Sequence, residues 1–224
     1  MSYRSMPRYA NSDLGEFRDT LFSFRIKKPS GPALTFGTMF HALTLECITP
    51  DNITTPVAKQ LRSMREAVLQ NKFARKVLGK GEVEQVQVWV DEQTGLPCKA
   101  LRDITVADEE LIVDLKTTSA TTYGEFLKSC ELYAYDRQAA FYLDGHPFAK
   151  RFVILGVQKQ APFDIFHFEA TACRGCIEGG RKKYQGLLHG ILRNGFVPSS
   201  WDTTPTTDVV GVYDKSGRGQ LITA

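Results

Sequence analysis

The stretch "EELIVDLKTTSA", Glu109 to Ala120, decides how this chain is read. It is apolar enough for a strand buried on both faces, yet Asp114 and Lys116 stand two residues apart within it. Side chains alternate along a strand, so Leu111, Val113 and Leu115 share one face while Ile112, Asp114 and Lys116 share the other. Such a strand carries either an ordinary ion pair or a charged site. For an isolated D-x-K the ion pair is the commoner case, and such pairs contribute little.

Working outward, the run "EVEQVQVWVDEQTGLPCKALRDITVADEELIVDLKTT" from Glu82 reads as three strands with turn signals at "DEQTG" and "ADEE". Connections this short make an antiparallel meander. Before Gly81 the pattern is helical: Ser12 is placed to cap "DLGEFRDTLFSF", "TFGTMFHALTLE" has apolar residues at helical spacing, and "VAKQLRSMREAVLQNKFARKVL" reads as one further helix. After the meander, "TYGEFLKSCELYAYDRQAAFYLDG" reads as a helical stretch stopped by Gly145 and Pro147. A hairpin of "AKRFVILGVQK" and "FDIFHFEAT" and a partly basic helix, "RGCIEGGRKKYQGLLHGILRNG", complete the order. This predicts an α/β domain with a mixed central sheet flanked by helices. It would comprise a helical lead-in over 1–80, a core over 81–200 and a loosely structured tail over 201–224.

The composition is that of an ordinary globular domain, with 24% charged and 42% hydrophobic residues and a net charge of +3. That balance neither demands nor excludes nucleic acid, since local charge is what attracts phosphate. The N-terminal residues show no apolar core of signal-peptide length, and no run approaches the roughly 18 apolar residues of a membrane span. A cytoplasmic protein without a membrane partner is expected. Its five scattered cysteines are expected to be free thiols.

The segment "KALRDI" places a second carboxylate, Asp103, on the strand before Asp114. Carboxylates that converge repel unless a cation or proton lies between them, and hard oxygen ligands suit Mg²⁺ or Mn²⁺. Lys116 would then stand beside the ion, able to hold a water or balance phosphoryl charge. Two helical pairs add candidates. "GTMFH" puts Gly37 and His41 one turn apart, where Gly37 permits close backbone approach and His41 offers an imidazole. "RQAAFY" puts Gln138 and Tyr142 on one helical face, suited to contact a DNA strand or support a metal site. Each has a plainer reading, a hydrogen-bonded histidine under the sheet and a packed tyrosine.

Together, G-x-x-x-H, an aspartate on one strand, D-x-K on the next and Q-x-x-x-Y on the following helix resemble the RecB-type branch of the PD-(D/E)XK nuclease superfamily. The surrounding text, including "YANSDLGEFRDTLFSF", "VEQVQVWVDEQTGLPCKALRDI" and "GGRKKYQGLL", resembles RecE-type (exonuclease VIII-like) phage and prophage exonucleases from about Tyr9 to Trp201. The resemblance implies a PD-(D/E)XK core in which His41, Asp103, Asp114 and the carbonyl of Leu115 bind a divalent metal, Mg²⁺ or Mn²⁺. Lys116 would be the catalytic lysine, Glu84 an acid near the site, and Gln138 and Tyr142 the motif that orients the DNA end. It further implies 5′ to 3′ resection of linear double-stranded DNA by a ring-shaped homo-oligomer, a trimer or tetramer. The 3′ strand would pass to a single-strand annealing protein. One departure is that related sequences often carry K-x-R-x-D, whereas "KALRD" sets Arg102 directly beside Asp103, on the opposite strand face.

Competing readings are a PD-(D/E)XK endonuclease, an iron–sulfur RecB-type nuclease and a DNA-end-binding module without activity. The second requires four placed cysteines, and only Cys173 and Cys176 form a close C-x-x-C. The third requires a missing ligand, yet His41, Asp103, Asp114 and Lys116 are all present. Lys150, Arg151, Arg181, Lys182 and Lys183 are candidates for a phosphate-tracking surface or simply solvated faces.

Overall fold

The computed structural model describes residues 3, 6–22, 31–50, 53–201, 211–213 and 219–221, the last two segments as backbone. Residues 8–198 form one compact unit; residues 1–7 and 199–224 form a second. Within the second unit, β6 (Gly211–Tyr213) and β7 (Gly219–Leu221) pair antiparallel, in a tail expected to be loop.

The larger unit opens with α1 (Asn11–Phe22), α2 (Gly31–Leu45), α3 (Thr55–Gln70) and α4 (Lys72–Lys80). The meander follows as β1 (Glu82–Val90), β2 (Pro97–Val106) and β3 (Leu111–Thr118). Next come α5 (Tyr123–Leu132), α6 (Tyr135–Asp144), the hairpin β4 (Arg151–Gln158) and β5 (Ile165–Glu169), and α7 (Cys176–Asn194). The five strands lie in the order β1-β2-β3-β4-β5, antiparallel except for β3 beside β4, which run parallel because α5 and α6 form the crossover. The expected mixed α/β sheet with flanking helices is therefore the fold.

Three local expectations are corrected. The helix expected to begin at Asp13 after a Ser12 cap starts two residues earlier, at Asn11, with Ser12 inside it. The single helix expected through Leu78 is two, because Asn71 adopts an extended backbone, ends α3 and caps α4 by accepting from the Ala74 N–H at 3.0 Å. The helical stretch after the meander is also two, split where Ala134 takes a left-handed conformation at φ 52°.

The core lies between one sheet face and α2 to α4, where Phe40, Leu61, Met64 and Val68 meet Val113, Leu115, Val153 and Leu155. Leu61, Met64 and Val68 recur at helical spacing, so α3 presents one apolar stripe to the sheet. Full burial of each such side chain contributes about 1.5–3 kcal/mol. On the other side, Gly156 of β4 lets Phe126 of α5 press directly onto the strand. Gly180 lets α7 lie against the backbone of Asp136 on α6. The strand bearing Asp114 and Lys116 is thus covered on both faces, which is why it is apolar.

Candidate active site at the splay between two strands

The β2–β3 ladder runs from Val106↔Leu111 only to Ile104↔Val113, while β3 stays paired with β4 along its whole length to Thr118↔Gln158. Beyond Val113 the two strands part, and the freed Leu115 N–H is taken by the Asp103 carboxylate, Oδ2 accepting at 2.7 Å. A side chain thus replaces a ladder carbonyl, satisfying a buried donor and fixing Asp103 beside Asp114.

His41, on α2, reaches the same point from the core side. Its Nε2 lies 2.7 Å from the Leu115 carbonyl, and since that oxygen can only accept, Nε2 carries the proton and donates. Nδ1 faces Asp103 Oδ1 at 3.6 Å and Glu84 Oε1 at 4.0 Å. In the neutral imidazole Nδ1 is a lone pair, so one nitrogen and two carboxylates converge with all their ligand atoms within 4.8 Å. Three electron-rich atoms at that spacing suit a cation shared between them, and the nitrogen-plus-carboxylate set fits a divalent ion such as Mg²⁺ or Mn²⁺.

Glu84 enters this group by an unusual route. It sits in β1 opposite Asp103 but with φ 50°, a left-handed conformation rare for a side-chain-bearing residue. Such strain persists only where surrounding structure imposes it. Burial, then the Asp103 carboxylate, push its pKa up to about 7, against a smaller opposing effect of His41.

Asp114 is 2% exposed. Its Oδ1 accepts from Gln138 Nε2 at 2.6 Å, and Oδ2 lies 2.8 Å from Lys116 Nζ without meeting hydrogen-bond geometry there. That buried oxygen already faces a cation, the Lys116 ammonium. Burial raises the Asp114 pKa and the Asp103 charge adds to this, while Lys116 and His41 oppose it. For Lys116, burial alone would lower the pKa, but the Asp114 and Asp103 carboxylates outweigh it and hold the ammonium protonated.

Of the residues named from the sequence, His41, Glu84 and Asp103 form the tight group, Leu115 is bonded to it through both backbone atoms, and Asp114 and Lys116 adjoin it as an ion pair. The Leu115 carbonyl, expected on the metal, is here the acceptor for His41. Gln138, expected at the DNA end, is 7% exposed with its amide bonded to Asp114. Tyr142 is 8% exposed and packs edge-on against Phe152 at 6.0 Å and tilted against Phe141 at 6.5 Å. Gly37 does not mark a close backbone approach among the described residues, where a Cβ there would meet only Thr117 Oγ1 at 4.0 Å. Four of the five basic candidates are engaged in ion pairs: Lys150 with Glu110, Arg151 with Glu169, Arg181 with Asp144 and Lys183 with Asp136. Tyr135 was not singled out, yet Lys116 Nζ lies over its ring, 5.2 Å from the centroid. The available signal was its position three residues before Gln138 on one helical face.

The five-stranded mixed sheet, with carboxylates and a lysine gathered where β2 and β3 part, defines a domain of the PD-(D/E)XK nuclease class. Residues 38–193 match the family described as PDDEXK-like domain of unknown function (DUF3799), and the chain belongs to that family. No curated protein sequence matches it. Among solved structures, a candidate exonuclease from Eubacterium rectale shares the fold with a TM-score of 0.63 and 16% identity, over 85% of this chain and 83% of that one. Fainter likenesses are a phage-related exonuclease from Haemophilus somnus (TM-score 0.44, 12% identity, 84% and 94% covered) and an alkaline exonuclease from Laribacter hongkongensis (0.40, 12%, 85% and 92%). No helix among the described residues is long and apolar enough to cross a membrane.

Proposed function

We propose that this chain is a divalent-metal-dependent exodeoxyribonuclease of RecE type, resecting linear double-stranded DNA from 5′ to 3′. The observation that carries the nuclease reading is the convergence of His41, Glu84 and Asp103 within 4.8 Å, with the Asp114–Lys116 pair beside it. Polarity and preference for ends come from the family resemblance of the spacer segments. So do the ring-shaped trimer or tetramer and the partnership with a single-strand annealing protein.

His41, Glu84, Asp103 and Asp114 would hold the ion, Mg²⁺ or Mn²⁺, with the Leu115 carbonyl at its edge. When bound, the ion supplies Lewis acidity towards a phosphoryl oxygen and lowers the pKa of water. The chain's own groups set the geometry. Asp103 is fixed by the Leu115 N–H and His41 by the Leu115 carbonyl, so one backbone residue orients two ligands. Asp114 is fixed by Gln138. Lys116, protonated and tethered to Asp114, is placed to donate to the attacking water or to a phosphate oxygen.

Linear duplex labelled at either the 5′ or the 3′ end, incubated beside closed circular duplex with Mg²⁺, Mn²⁺ or EDTA, tests the reading. Metal-dependent release of 5′ label with circles spared is the expected result. Nicked circles would replace exonuclease by endonuclease, and absence of cleavage under every condition would overturn the nuclease reading.

A further inference from the structure

We propose that Tyr135 is a positioning residue for Lys116, acting through its ring face; this rests on the nuclease reading given above. The turn made by the left-handed Ala134 re-aims the chain between α5 and α6, so that α6 starts at Tyr135. Tyr135 and Gln138 are three apart and share a helical face. On β3, Asp114 and Lys116 are two apart and share a strand face. The two faces meet residue for residue: Gln138 donates to Asp114 at 2.6 Å, and the Tyr135 ring receives the Lys116 ammonium at 5.2 Å.

A lysine has a long, freely rotating stem, and a single ion pair leaves its ammonium free to pivot about that contact. Asp114 Oδ2 provides one restraint on Nζ, at 2.8 Å and outside hydrogen-bond geometry. The ring supplies a second from another direction, attractive because the π face is electron-rich. Tyr133, exposed, lies 5.9 Å from Tyr135 between centroids and flanks it at the helix break. The ring is needed for this role and the hydroxyl is not, so phenylalanine should serve in its place. An aliphatic residue of similar bulk should fill the space without holding the ammonium.

The test compares Tyr135→Phe and Tyr135→Leu on end-labelled linear duplex at saturating Mn²⁺. The expected result is a kcat lowered about tenfold in Tyr135→Leu, with KM nearly unchanged and wild-type kcat restored in Tyr135→Phe. A second readout needs no cleavage. In protein labelled with ¹³C-lysine, the Lys116 ε-methylene resonance, identified by its loss in Lys116→Arg, should lie upfield of those of other lysines through the ring current. That displacement should persist in Tyr135→Phe and vanish in Tyr135→Leu. Wild-type kcat in Tyr135→Leu, or an undisplaced Lys116 resonance in the unsubstituted chain, would overturn the inference. If the wild type cleaves nothing, the nuclease reading fails on its own, and the resonance still decides whether Tyr135 holds Lys116.

Discussion

Gln138 holds Asp114: its Nε2 donates to Asp114 Oδ1 at 2.6 Å, and both side chains are buried. A helix residue suited by type to touch DNA is thereby committed to orienting an acid on the sheet. Gln138→Ala strands a buried carboxylate oxygen, which costs about 1–3 kcal/mol. The expected outcome is a lowered melting temperature and reduced kcat, with duplex affinity in EDTA unchanged. A variant of normal stability that bound DNA more weakly would assign Gln138 to the substrate.

Asp103 serves two partners, the Leu115 N–H and the group around His41. Asp103→Ala is therefore expected to abolish Mn²⁺ binding by calorimetry and to reduce cleavage by orders of magnitude, because ion and charge are lost together. Asp103→Asn keeps an oxygen that can accept from Leu115. It should retain more stability than Asp103→Ala while still binding metal poorly.

Glu84 gives a pH dependence whose sign follows from its raised pKa of about 7 in the metal-free chain. Below that value a proton competes with the cation, so apparent Mn²⁺ affinity should rise from pH 6 to pH 8 and level off above. A raised acid pKa also means that its contribution to metal-free stability is present at low pH and lost as pH rises through about 7. Glu84→Gln should flatten both profiles. Melting curves in EDTA and Mn²⁺ titrations across that range check the two halves separately.

The meander was legible because strand-length runs, alternating in Glu82–Val90 and continuously apolar in Leu111–Val113, are separated only by turn residues, and a mixed sheet was expected from the helices that follow. The breaks at Asn71 and Ala134 were not legible. Helical spacing resumes directly after each, and neither residue is a glycine or proline that would punctuate the pattern. At the site, alternation placed Asp114 and Lys116 on one face. It could not show that β2 leaves β3 beside Asp103, since ladder length is set by tertiary packing. Nor could it bring in Glu84 at φ 50°, a conformation that strand alternation does not contain. A helical face named by Gln138 was equally compatible with solvent and with the sheet, and only packing against Asp114 decided between them.

The proposed function rests on phosphodiester hydrolysis at the Asp114–Lys116 pair beside a bound divalent ion. Single-turnover cleavage of linear duplex by Lys116→Ala, with Mn²⁺ binding measured on the same preparation, tests it most directly. Cleavage reduced by orders of magnitude with metal and DNA binding largely retained is the predicted result. Near-wild-type cleavage by Lys116→Ala would contradict it.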